Sequence, residues 1–296
     1  MKALINYGTL VFMGLVWGAV FPITKIAVST GYKPFGIMVW QMVIGVAVSA
    51  AFLLLRGRPL NFTRKNMPVY IGVALLGTVL PNYFSYTASA HLPAGIISIL
   101  IALVPLFAMP IALMMGFERF SWLRFMGALS GAVALLLLIG PEASLPDPTK
   151  YVFVLLMAVA PLLYGMEGNF LTYMGERGLD ATQTLFGATV IALTFAVPLA
   201  LGLGQWINPF QPWGAPEWAI QAGAALNVTA YILYVWLIHR AGPVFSSQVA
   251  YLVTGWGVLI SMVFLGETYS KWVWLALGLM MLGVALVRPR NNKEPR

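Results

Sequence analysis

The 296-residue sequence contains no cysteine and very little charge: nine acidic and seventeen basic residues make up 9% of the chain. Without cysteine there are no disulfides, thiolate metal sites or cysteine nucleophiles. So little charge excludes a water-facing globule of this size, because soluble domains carry about a quarter charged residues. No G-x-x-x-x-G-K-[ST] stretch occurs, which argues against ATP-driven pumping by this chain. Neither histidine, His91 or His239, has a second histidine or a carboxylate at ligand spacing. No nucleophile–base pair suggests hydrolysis. The expectation is a chain with no enzymatic activity, no cofactor and no metal.

Hydrophobic residues make up 60% of the chain. They fall into runs of about 20 residues, the length that crosses a bilayer as a helix. The runs lack the period-two alternation of barrel strands. They predict an all-α polytopic membrane protein with ten transmembrane helices, near 8–28, 35–55, 67–89, 93–116, 121–140, 151–173, 181–203, 217–238, 243–265 and 271–288. The opening stretch continues into a full span without a cleavage pattern and reads as a retained first helix. The net charge of +8 does not indicate nucleic acid here, because its distribution matters more than its sum. With the N-terminus inside, 13 Lys and Arg fall on the inner side and four (Lys25, Lys33, Lys150, Lys271) on the outer. Both termini are therefore expected in the cytoplasm, with the tail held at anionic headgroups.

The chain also resembles itself. Glu118, Phe120 and Ser121 recur as Glu267, Tyr269 and Ser270, and Tyr83, Tyr86 and His91 recur as Tyr231, Tyr234 and His239. "LVWGAVFPITK" (15–25) lies over "LLYGMEGNFLT" (162–172), with Trp17-Gly18 on Tyr164-Gly165. The offsets are 147 to 149 residues. Each copy holds five spans, and five is odd, so the second enters the membrane from the opposite side. Two five-helix inverted-topology repeats follow: 1–140, a linker 141–150, 151–290, and a basic tail 291–296. Secondary transporters with this architecture bind substrate at the repeat interface near the midplane.

Ten spans, "WGAVFPITK" in the first, the proline of "ALVPLF" in the fourth and the paired "ERFS"/"ETYS" together resemble the drug/metabolite transporter superfamily. The chain looks like its EamA-type tandem members over essentially its whole length, and is most similar to the YddG-type exporters of aromatic and other amino acids. The second copy departs from the pattern, carrying "VTGWG" (253–257) where the first has its fourth-span proline. The resemblance implies a multi-pass protein of the inner cell membrane that moves small metabolites.

Polar residues recur at helical spacing in the third span (Thr78, Asn82, Ser85, Tyr86, Ser89) and in the eighth (Asn227, Tyr231, Tyr234). In lipid such groups turn towards the bundle interior or a water-filled cavity. The competing use is interhelical hydrogen bonding, at about 0.6 kcal/mol each. Trp17 and Phe21 in the first span, Tyr83 in the third and Tyr164 in the sixth join them as candidate substrate contacts, with Gln248, Tyr251 and Trp256 in the ninth. Any one of these aromatics is more often packing, but as a set they suit a flat or apolar side chain with a small polar head. Pro22 and Pro105 are candidate hinges. Glu167 lies 16 residues into its span, about 24 Å deep. Its repeat counterpart is Val20, so the shared architecture does not require an acid there. Two uses stay open: a local polar contact near the inner mouth, or a coupling or counter-ion role.

The expected function is secondary transport: export, or facilitated diffusion, of small zwitterionic metabolites such as aromatic amino acids, by alternating access around a central cavity. The partners are then a small-molecule substrate and the lipid bilayer, not nucleic acid. A monomer suffices, because Gly127-x-x-x-Gly131 can pack helices within one chain as well as between two. The alternatives are a multidrug-type exporter of aromatic or quaternary cations, with Glu167 as counter-ion and aromatic faces supplying cation–π attraction, or a channel or lipid-moving protein.

Overall fold

A computed structural model describes residues 2–139, 147–175, 177–241 and 249–286. Those residues hold ten helical spans and no strand. We label them α1 (Lys2–Ser29), α2 (Pro34–Leu55), α3 (Met67–His91), α4 (Ala94–Met114), α5 (Trp122–Ile139), α6 (Tyr151–Met174), α7 (Ala181–Gly202), α8 (Ala215–Ala241), α9 (Val249–Leu265) and α10 (Lys271–Leu286). Local chemistry sets several ends. Pro34 opens α2, where a missing N–H costs nothing. Asp180 and Gln183 form a reciprocal capping box at the start of α7, with bonds of 2.8 and 3.0 Å. α1 begins at Lys2, six residues before the run that predicted it.

Two spans are irregular where proline removes a donor. In α3 the turn Leu75–Val79 widens to π-helical geometry, and the Leu80 N–H bonds the Leu75 carbonyl five residues back. Pro81 follows at once. In α4 the helix breaks at Ala102 and Leu103, just ahead of Pro105 in the second half, Val104–Met114. Pro22, by contrast, sits inside an unbroken α1.

The closest packing crosses the repeat boundary. α1 packs on α8 and α9, α6 packs on α3 and α4, α2 pairs with α7, and α5 pairs with α10. The first part of α3 touches α7, and α8 touches α2. Replacing every helix by the one five places away returns the same set of pairs. That is the signature of two inverted repeats, and the ten-helix, two-repeat fold is the one the sequence implied. The Gly127–Gly131 stripe is consumed inside the chain: a Cβ on Gly283 of α10 would stand 2.8 Å from the Gly127 carbonyl oxygen and 2.6 Å from Ser130 Oγ.

Candidate substrate site

The two aromatic-glycine motifs have one physical cause. A Cβ on Gly18 would lie 2.8 Å from Trp256 Cβ and 2.9 Å from the Gly257 nitrogen of α9. A Cβ on Gly165 would lie 2.9 Å from the Ala108 nitrogen and 3.2 Å from its Cα in α4. The 2.9 Å contacts to backbone nitrogen are closer than real Cβ atoms come, so glycine lets α1 meet α9, and α6 meet α4, this closely. The residue before each glycine is thereby fixed against the opposite repeat. Trp17 Nε1 donates to Asn227 Oδ1 at 2.7 Å, and the Tyr164 hydroxyl donates to Asn82 Oδ1 at 3.3 Å. One bond runs from α1 to α8 and the other from α6 to α3. The two aromatics are repeat counterparts, and each donates to an asparagine of the other repeat, although Asn227 stands about one helical turn from Ala230, the counterpart of Asn82.

Other candidates gather around these two bonds. The Tyr234 ring lies 5.7 Å from that of Trp17. Tyr86 is buried and its hydroxyl donates to Gln41 Oε1 of α2, a partner the sequence reading missed. The Tyr231 hydroxyl donates to the Ala181 carbonyl at 2.9 Å, at the start of α7. Thr78 sits within the π-turn, so the three-and-four spacing that linked it to Asn82 is offset there.

Glu167 lies near the Tyr164 and Tyr231 phenols, partly buried, with its carboxylate against Gly77 of that same turn. A Cβ at position 77 would fall on the carboxylate. Among the described residues no hydrogen bond or ion pair reaches this acid.

The remaining candidates point elsewhere. Tyr83 stacks on Phe35 of α2 with centroids 5.4 Å apart. Phe21 and Tyr251 pack against the apolar core around α4, and the Tyr251 hydroxyl is buried with no partner among the described residues. Trp256 is the neighbour of Gly18. Gln248 lies outside the described residues. The signal for Gln41 and Gly77 was thin: each is a single residue in an apolar run, given meaning only by the helix beside it.

At the end of the bundle that carries the α1 C-terminus, a cavity of about 230 Å³ is lined by Lys25, His91, Leu92, Pro93, Asp147, Lys150 and Glu267. Lys25 Nζ donates to the Ser89, Ala90 and Leu92 carbonyls at 2.7, 3.3 and 2.9 Å, neutralising the C-terminus of α3. Glu267 accepts from the Ala94 and Gly95 N–H groups at 2.7 and 3.1 Å and from the Tyr269 hydroxyl, so it caps α4. The acid stands just before α10 in sequence, yet it caps a helix of the other repeat. The His91 ring stacks on Phe153 with centroids 3.8 Å apart.

Comparison with known proteins agrees with this architecture. The chain is 24% identical over 281 residues to the "Uncharacterized inner membrane transporter YedA" of Escherichia coli (strain K12), covering 95% of this chain and 90% of that protein. It is 24% identical over 289 residues to the "Probable terminal-alkyne amino-acid exporter" of Streptantibioticus cattleyicolor, covering 95% and 93%. A protein of known crystal structure shares the fold with a TM-score of 0.60 at 20% identity, covering 97% of this chain and 96% of its own. The sequence pattern of the EamA-like transporter family matches twice, at residues 5–140 and 152–288, once in each half of the chain. This ten-helix membrane protein belongs to the EamA-like transporter family.

Proposed function

We propose that the chain is a secondary transporter exporting small zwitterionic metabolites, aromatic amino acids among them. The observation that carries this reading is the pair of crossed bonds, Trp17–Asn227 and Tyr164–Asn82. They place polar amide groups among aromatic faces where the repeats meet, at the middle of four helices. An aromatic side chain takes the rings, and a polar head takes the amides and phenols. The name of the Streptantibioticus relative, an amino-acid exporter, supports the same cargo class. No side chain performs covalent chemistry, and the cargo's own gradient supplies the driving force.

The packing suggests which bodies move. α1 with α8 and α9, and α6 with α3 and α4, form two groups that the pseudo-two-fold exchanges. Rocking of these mixed groups, rather than of residues 1–140 against 151–290, alternates access to the space between them. The broken α4 at Pro105 is the joint that such rocking flexes. The uneven distribution of Lys and Arg puts the Lys25 end outside and both termini in the cytoplasm.

The test is a proteoliposome uptake panel across amino acids and organic cations, with and without a pH gradient. Saturable phenylalanine flux with counter-flow acceleration is the expected result. Transport of methyl viologen without phenylalanine refutes the amino-acid reading, and non-saturable flux without counter-flow refutes the carrier.

A further inference from the structure

We propose that Glu167, together with the widened turn of α3 facing it, receives the ammonium group of the cargo, so that transported molecules must carry a free N–H cation. This deepens the function proposed above and rests on it for the choice of aromatic probes. A carboxylate partly withdrawn from water inside a membrane span gains from a cation or several donors around it. Glu167 has neither among the described residues. From α3 it meets Gly77, which has no side chain to offer. The nearby Tyr231 of α8 spends its proton on Ala181, and Tyr164 of α6 spends its own on Asn82. The other charged group near Tyr231 is Asp180, also an acid. Lys25 is at the opposite end of the bundle, held by three carbonyls.

The backbone supplies an independent second observation at the same place. Leu80 donates five residues back to Leu75, and Pro81 has no N–H. The bond Pro81 cannot make would have gone to Leu76 in the widened register or to Gly77 in the ordinary one. A carbonyl is therefore left without its helical donor in the turn that houses the carboxylate. Loosened turns of this kind recur at functional sites, and freed carbonyls bind cations in broken membrane helices.

Carboxylate, carbonyl and phenol oxygens together form an acceptor-only set, which an ammonium with three N–H donors and one charge completes. The site draws on both repeats, and its pseudo-symmetric counterpart has Val20, Ala225 and Thr229 in place of Glu167, Gly77 and Pro81. The site thus occurs once, and it gives a pseudo-symmetric cavity one defined end for the amine.

The test uses the purified full-length chain, both in detergent and in proteoliposomes. Thermal stabilisation and uptake are measured with phenylalanine, phenethylammonium, N-acetylphenylalanine, methyl viologen and sodium chloride. The first two are expected to stabilise the protein and to be carried; the acylated and quaternary compounds are not. Glu167→Gln is expected to raise the half-saturating concentration of both amines about 10- to 100-fold, in line with loss of a hydrogen bond to a charged group. Gly77→Ala, which displaces the carboxylate, is expected to raise it about 10-fold, while Gly168→Ala, where the added methyl meets open space, changes nothing. If Glu167→Gln does not fold, Glu167→Asp and Gly77→Ala carry the comparison.

The proposal is overturned if amine binding is within twofold of wild type in the Glu167 and Gly77 variants. Equal binding of N-acetylphenylalanine or methyl viologen overturns it too, as does Glu167-dependent stabilisation by sodium alone or no response to either amine. Glu167-dependent binding of phenethylammonium without phenylalanine transport refutes the amino-acid reading and leaves this site standing. Phenylalanine transport indifferent to Glu167 does the reverse.

Discussion

Glu118 and Glu267 occupy equivalent places in the two repeats and do different work. Glu118 meets Arg124 Nη1 at 2.7 Å, six residues along in the first turn of α5. Glu267 has Val273 six residues along, buried in the core. It turns across the repeat boundary onto the first N–H groups of α4, with Tyr269 as a third donor. Lys25, whose counterpart is Thr172, clamps the end of α3 beside it. An arginine stands by the first of these repeated glutamates and a valine at the matching place by the second. The first glutamate stays within its own repeat, while the second ties the two repeats together. The glycine-aromatic frame is shared by both halves, and the charged residues on it are where they diverge.

The shared frame should break hardest. Gly165→Val drives a side chain into the Ala108 backbone and is expected to cost about 3 kcal/mol, read as loss of monodisperse protein. Gly18→Val should behave alike; a mild phenotype in one alone would show that the frames are not equivalent. Next comes the tie at the Lys25 end. The chain has no cysteine, so Leu92→Cys, at a site fully buried in the wild type, is a clean reporter of opening. Adding Glu267→Ala should raise its maleimide labelling rate about 30-fold, as expected for loss of about 2 kcal/mol of charge-assisted hydrogen bonding.

Lys25→Thr, the residue of the other repeat, should raise it about fivefold through the loss of about 1 kcal/mol at the α3 terminus. Glu118→Ala removes one partly buried ion pair within the first repeat, worth about 1 kcal/mol, and should leave Leu92→Cys labelling within twofold. A larger effect would mean that the two ends are tied to each other. The smallest effect concerns pH. Burial, and then the Glu267 carboxylate, hold the Tyr269 phenol above the ordinary tyrosine range. A raised value keeps the neutral donor below the unfolded value of about 10 and loses it only as pH rises through the folded one. Labelling relative to Glu267→Ala should therefore be flat from pH 6 to 9.

Much of this was legible in the sequence because bilayer thickness and repeat length leave few alternatives. Apolar runs located the ten spans, and Trp17-Gly18 over Tyr164-Gly165 showed which helices correspond. Pro105 marked the break in α4 that the structure places at Ala102 and Leu103. The candidate site was read less well, because its meaning comes from neighbouring helices. Glu167 was visible as an acid in an apolar run, but the room made for it by Gly77 depends on a turn that α3 adopts only in place. Tyr83 has the spacing of a cavity residue, and the arrival of Phe35 decides its direction. Glu267 was visible only as the repeat match of Glu118; the crossing of helices shows that it caps α4.

That crossing also bears on how the molecule is made. The first helix has its closest partners in the eighth and ninth, and the fifth has its own in the tenth. As the chain is synthesised, the first five helices are in the bilayer before any of those partners exist. They must wait there with the Gly18 face of the first helix turned to lipid until the second half is threaded in from the opposite side. The repeat is thus a unit of inheritance without being a unit of folding. Separate half-chains should be stable only when both are produced together.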